Sequence, residues 1–162
     1  MKMAWNTAEA DAVFAELAAR MTDMTPVMED IGEIMIESTR QNFAESSSAD
    51  GIPWAPKTQA TLDAYAARGD SVSAAPLIGP SRTLSTTIFS QATSNSIRWG
   101  SNLIQAGVMQ FGAAKGEFGT ASNGSPIPWG DIPARPFIGV GEEDERQIIE
   151  KVEDWLGDAD NR

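Results

Sequence analysis

The sequence predicts an α+β domain, with a small antiparallel β-sheet packed by N-terminal helices and a C-terminal helix. Three observations predict it. Apolar residues recur at helical spacing near both ends of the chain, and residues 83–100 between them read as a β-hairpin. The chain has 162 residues, 41 % of them hydrophobic, which is the size of one domain able to bury a real core. We therefore expect a single domain over residues 1–162. Its N-terminal helices lie at 8–43, its sheet and loops at 50–141, and its C-terminal helix at 142–157.

Taken in order, Asn6 followed by Glu9 resembles a capping box. Ala10, Val13, Phe14, Leu17, Met21 and Met24 then fall on one helical face. Thr25-Pro26 reads as the N-cap and first residue of a second helix, which runs to about Phe43. Val27, Met28, Ile31, Ile34 and Met35 form its stripe, while Ile36 and Phe43 lie off it, so this helix is covered on two sides. Residues 46–51 are a loop by composition. Trp54 follows in a stiff turn between Pro53 and Pro56, and either plugs one end of the core or anchors an interface.

Residues 58–68 read as a helix with Leu62 and Tyr65 facing inward and Gly69 as its stop. Residues 70–81 are polar or bear Pro and Gly, and are mobile unless something docks on them. In the hairpin, 86–92 and 97–100 are the strands and Ser94-Asn95-Ser96 the turn. A short helix over 103–111, with Leu103, Val108 and Phe111 apolar, ends at Gly112. Residues 116–131 form a long loop of the kind that is functional or orders on assembly. In the last helix, Ile148, Ile149, Val152, Trp155 and Leu156 span an arc of about 120°. Residues 158–162 read as a frayed tail.

Between loop and last helix, Pro133 and Pro136 hold the chain extended around Arg135. Phe137, Ile138 and Val140 read as a short buried strand, broken by Gly139 and Gly141. Glu142, Glu143 and Asp144 stand where a helix N-terminus favours negative charge. A lone guanidinium in so rigid and apolar a bend has to find a carboxylate or carbonyl, in its own chain or across a subunit joint.

Several chemistries are excluded. The chain has no cysteine, which removes disulfides and thiolate metal sites, and no histidine, which removes the commonest general base and metal ligand. No catalytic, metal or cofactor site is therefore expected. Gly139-Val140-Gly141 imitates a phosphate loop, but the third glycine is missing and the three acids that follow repel a phosphate. Asp50-Gly51 fails as a calcium loop because Ile52 and Trp54 occupy the ligand positions. No run approaches the roughly 18 apolar residues of a membrane span, and the N-terminus lacks the apolar core of a signal peptide.

The net charge of −11 is unevenly spread: about −7 over residues 1–50, about +2 over 51–141 and about −6 over 142–162. No basic footprint for nucleic acid is visible.

Four segments resemble one family. Asp50-Gly-Ile-Pro-Trp54-Ala-Pro-Lys-Thr58 with Thr61-Leu62 is similar to its early "DG-x-x-W-x-P" motif, and 77–88 to the segment before its hairpin. Gln110-Phe111-Gly112 matches its "QFG" signature, and Ile132-Pro133-Ala134-Arg135-Pro136-Phe137-Ile138-Gly139 its "IPARPF" signature. The chain departs from the pattern at Met109, where the family often has His, and at Pro80-Ser81, where Thr-Gly is usual. The family is that of the virion-morphogenesis or tail-completion proteins of tailed phages and of Mu-like and P2-like prophages. The resemblance covers about residues 43–150.

The resemblance implies a non-enzymatic assembly protein of the virion, made in the host cytoplasm. It would complete the tail at its head-proximal end and join it to the head. By the resemblance its partners are further copies of itself in a ring, a hexamer, together with tail tube, sheath and head–tail connector proteins. DNA passes through without sequence-specific binding, and no membrane is involved. Acidic terminal helices lining such a ring would let DNA slide by like-charge repulsion. Trp54, Gln110, Phe111, Gly112, Pro133, Arg135, Pro136 and Phe137 are the expected joint residues, each set against a role inside its own fold. The alternatives are a head-side connector or adaptor and a tail-associated hydrolase working through carboxylates.

Overall fold

In a computed structural model, residues 7–71 and 73–157 are described. Among them the chain forms α1 (Ala8–Thr22), α2 (Thr25–Glu45), α3 (Gln59–Ala67), α4 (Thr83–Thr86), β1 (Phe89–Ala92), β2 (Ile97–Gly100), α5 (Ala106–Phe111) and α6 (Glu142–Gly157). The predicted α+β class, with one small antiparallel sheet between N- and C-terminal helices, is what forms. Asn6 of the expected capping box and the 158–162 tail lie outside the described residues.

The spine is α2, packed by the hairpin and by α6. Its two-sided cover follows from two apolar clusters strung along it. Near its start, Val27, Ile31 and Met35 are buried with Ile97 and Trp99 of β2 and with Ile148, Val152 and Trp155 of α6 against them. Near its end, Phe43 joins Trp54, Leu77, Leu84, Ile88, Ala106 and Phe137, and the off-stripe Ile36 packs against that second group. Gly32 sets the approach of the hairpin, since a Cβ there would lie 2.7 Å from Ser90 Oγ and 3.2 Å from Ile97 Cδ1.

The start of α2 differs from expectation by one residue. Thr25 is already helical, and the capping is done by Asp23, whose Oδ1 accepts from the Thr25 amide (3.0 Å) and hydroxyl (2.6 Å). Those two donors hold the Asp23 carboxyl below the usual carboxylate range, the hydroxyl more than the amide.

The hairpin is shorter than the sequence suggests. Its register pairs Phe89 with Gly100 and Ala92 with Ile97, and Thr93 to Ser96 close the loop. Residues 86–88, expected in the first strand, are not in it. The Thr86 hydroxyl donates to the Arg82 carbonyl (3.2 Å) and the Thr87 hydroxyl to Thr83 (2.8 Å), local bonds that favour the turn of α4 over a ladder. Ile88 is buried in the second cluster instead.

The long loop is an irregular arm rather than a structureless one. Gly116 N–H donates to Pro128 O, Phe118 N–H to Ile127 O and Ile127 N–H to Gly119 O, each at 2.8 Å. Bridges at Thr120–Pro126 and Ala113–Ile132 complete it, and the Ile127–Pro128 peptide is cis.

Helix α1 stands apart. None of its 15 residues is buried, and Phe14 and Met21 on its predicted apolar face are 69 % and 66 % exposed. Arg20 ties it down: Nη1 donates to Trp155 O (2.6 Å), Nη2 to Glu16 (3.0 Å), and the guanidinium lies over the Trp155 ring.

Candidate functional site

The motif-bearing segments converge where the extended stretch 133–138 crosses the end of α2. Phe137 is 1 % exposed, its ring 5.3 Å from that of Phe43, and Phe43 meets Trp54 edge-on at 5.6 Å. Around this aromatic group, side chains take over the backbone's hydrogen bonding. Gln110 Oε1 accepts from the Phe137 and Ile138 amides (3.0 and 3.1 Å), and its Nε2 donates to Ile138 O (2.8 Å). Asn42 Nδ2 donates to Phe137 O (3.2 Å), and Trp54 Nε1 to Pro136 O (2.9 Å).

The strand expected over Phe137, Ile138 and Val140 is therefore absent. The peptide groups of Phe137 and Ile138 are satisfied by side chains from α2 and α5, not by a neighbouring strand, and Val140 is exposed.

Arg135 completes the clasp. Its amide donates to Met109 O (2.8 Å), its Nε to Ala55 O (2.7 Å) and its Nη2 to Pro56 O (3.0 Å). The guanidinium thus grips the stiff Trp54 turn through carbonyls of its own chain. Pro133 and Pro136 sit on either side of it, exposed. Gly112 is required where the clasp meets the arm: its φ is +76°, and a Cβ would lie 2.7 Å from Ile132 O and 2.8 Å from Ala134 N.

Beyond the clasp, α6 starts directly after Gly141. Asp144 Oδ2 accepts from the Gly141 amide at 2.8 Å, reaching back as the third residue of a capping box does. A Cβ on Gly141 would meet Ala49 O at 2.5 Å, so the 46–51 loop lies directly on this helix start.

Trp54, Gln110, Arg135 and Phe137 thus come together inside one chain. Phe111 does not join them: it is 80 % exposed on the outer side of α5. Ile104, Phe118, Ile127 and Trp129, on the approach to α5 and on the arm after it, are exposed as well. Sequence reasoning missed Asn42, Lys57 and these exposed positions. Lys57 directly follows the Pro56 of the first motif, but nothing local shows that it will be half-buried beside Arg135.

Lys57 Nζ donates to Ser73 O and Ile78 O, both at 2.6 Å, and thereby fastens the 70–81 segment that was expected to need a docking partner. Burial, and after it the Arg135 charge, hold the ammonium below the usual lysine range, and burial lowers Arg135 as well. Among the described residues, no group of three or more Asp and Glu could hold a metal ion. No helix among them is long and apolar enough to cross a membrane.

A family model described as the phage virion morphogenesis family matches residues 5–157. No curated protein and no solved structure gives a significant match.

Proposed function

The chain belongs to the phage virion morphogenesis family, and we propose that within it the chain completes the tail at its head-proximal end and joins it to the head, as a non-enzymatic ring of identical copies around the DNA path. The observation that supports this reading is the division of the apolar residues. The clasp keeps its aromatic groups inside, whereas Ile104, Phe111, Phe118, Ile127 and Trp129 stand exposed on α5 and its flanking segments. Large apolar side chains gathered on neighbouring segments mark surfaces that another protein covers. A clasp held by seven side-chain-to-backbone bonds gives such a surface a fixed shape, as a subunit joint needs.

The acidic faces of α2 and α6 suit a DNA path. Glu33, Glu37 and Glu45 of α2 line one groove with Glu143 and Asp144 of α6. Turned toward a channel, that groove repels the phosphate backbone and leaves DNA free to slide.

Native mass measurement, alone and with tail tube protein, tests the reading. A ring-sized oligomer, or one that forms only on tail tube, is the expected result. A monomer that cleaves cell-wall polymer and loses that activity on a single Asp or Glu change overturns it. A particle image with the acidic groove on the outside and a basic channel overturns the DNA-path assignment.

A further inference from the structure

A cleft of about 650 Å³ opens beside the clasp, between α3, residues 76–84, α5 and residues 128–135. Its walls are largely apolar, with Tyr65, Leu77, Met109, Trp129 and Pro133 among them, yet two cations line it. Among the described residues, Lys57 has the carbonyls of Ser73 and Ile78 and the face of Tyr65 for partners. Arg135, 7 % exposed, uses Nε and Nη2 on the Ala55 and Pro56 carbonyls, and its Nη1 has no hydrogen-bond partner among the described residues. Neither forms an ion pair with any carboxylate of the described chain. Asp131 is also in the lining, where its Oδ1 accepts from the Lys115 amide (2.8 Å). The cleft therefore brings two mutually repelling cations to an apolar wall and leaves them short of counter-charge, a condition that an incoming carboxylate on an apolar scaffold relieves.

The chain carries such a scaffold. Helix α1 has Glu9 and Asp11 in its first turn, with Phe14 and Met21 exposed and no residue buried. It cannot readily serve its own cleft. Arg20 pins α1 to Trp155, beside the Val27 cluster at the start of α2, whereas the cleft borders Leu77 and Leu84 of the Phe43 cluster at the other end. We propose that α1 of one copy docks in the Lys57–Arg135 cleft of the next, its first-turn carboxylates on the two cations and its Phe14 face on the Tyr65–Trp129 wall. The contact joins two different surfaces, so it repeats head to tail and closes a ring if the rotation allows. It rests on the ring reading and supplies that reading with a joint.

Because the chain has no cysteine, single thiols report the contact without background. Phe14→Cys and Thr61→Cys proteins, Thr61 being in the cleft lining, are mixed as full chains and oxidised. Phe14→Cys mixed with Glu150→Cys, on the exposed side of α6, is the control. The expected result is a disulfide-linked pair of unlike chains, about tenfold in excess over the control, abolished when Lys57→Glu is added to the Thr61→Cys chain.

Circular dichroism on the Lys57→Glu chain establishes that it is folded; if it is not, the cross-link without that change decides. No excess over the control overturns the docking. If native mass still shows a ring in that case, the ring reading stands and only this joint is wrong. Cross-linking of Thr61→Cys to a different virion protein in preference to Phe14→Cys overturns it equally, by giving the cleft another occupant.

Discussion

Around Phe137 and along α1 the same chain treats its polar and apolar groups in opposite ways. From Arg135 to Ile138, six backbone groups (the amides of Arg135, Phe137 and Ile138 and the carbonyls of Pro136, Phe137 and Ile138) find partners within the chain, and the one large ring is fully enclosed. Along α1 the backbone is satisfied by the helix itself, and the apolar stripe is divided: Val13 and Leu17 are half-buried, whereas Phe14 and Met21 face outward. The first region is complete in one copy. The second has the sequence of a packed helix, and beside the Arg20–Trp155 tie its own copy covers part of its apolar face and leaves Phe14 and Met21 exposed. Amphipathic periodicity announces that a face will be covered; it does not say by which chain.

Substitutions should separate the two regions sharply. Phe137→Ala should cost about 3–5 kcal/mol of folding stability, the usual loss for emptying a buried aromatic site, read by urea denaturation. A loss under about 1 kcal/mol would mean that the clasp is not a core. Arg135→Ala should cost about 2 kcal/mol, because it leaves the Ala55 and Pro56 carbonyls without their charged donor. It should also move Lys57 back toward its ordinary pKa, since one of the two causes of the depression is removed.

The sign is checkable. With Lys57 depressed in the fold, the unfolded chain holds that proton to higher pH, so this lysine's contribution to stability rises with pH between the folded and unfolded values. The Arg135→Ala chain should show a shallower rise, followed by denaturation in alkaline buffers. Phe111→Ser sits at the other extreme. It should alter the stability of the isolated chain by less than about 0.5 kcal/mol, as exposed positions do, while weakening ring or tail-tube assembly in the native mass measurement. Equal effects on stability from Phe111→Ser and Phe137→Ala would erase the distinction drawn between the regions.

The helices and the fold class were legible because periodicity is a local property: Val27, Ile31 and Met35 on one stripe and Ile36 and Phe43 off it already described a helix with two neighbours. The stiffness of the Pro-framed bend was legible for the same reason, and so was the need of Arg135 for oxygen partners. What did not show was any contact between side chain and distant backbone. Gln110 lies 27 residues from Phe137 and Asn42 lies 95 away, and no spacing rule links an amide side chain to a peptide group at that range. The false strand at Phe137 has the same origin, because an extended apolar run looks alike whether its peptide groups are met by a strand or by glutamine and asparagine. In 83–88 the threonines carry strand propensity, yet their hydroxyls bond the preceding turn and win locally.

The spacing of the two clusters on α2 has a mechanical side. At 21 residues the helix is about 30 Å long, with the hairpin gripping one end, the clasp gripping the other and α6 running along both. A helix of that length is stiff, so a tilt of about 5° at one end displaces the other by roughly 3 Å. A neighbour leaning on the hairpin would therefore be felt, through this lever, at the mouth of the Lys57 cleft. In the proposed ring, subunits linked in that way would adjust in concert rather than one at a time.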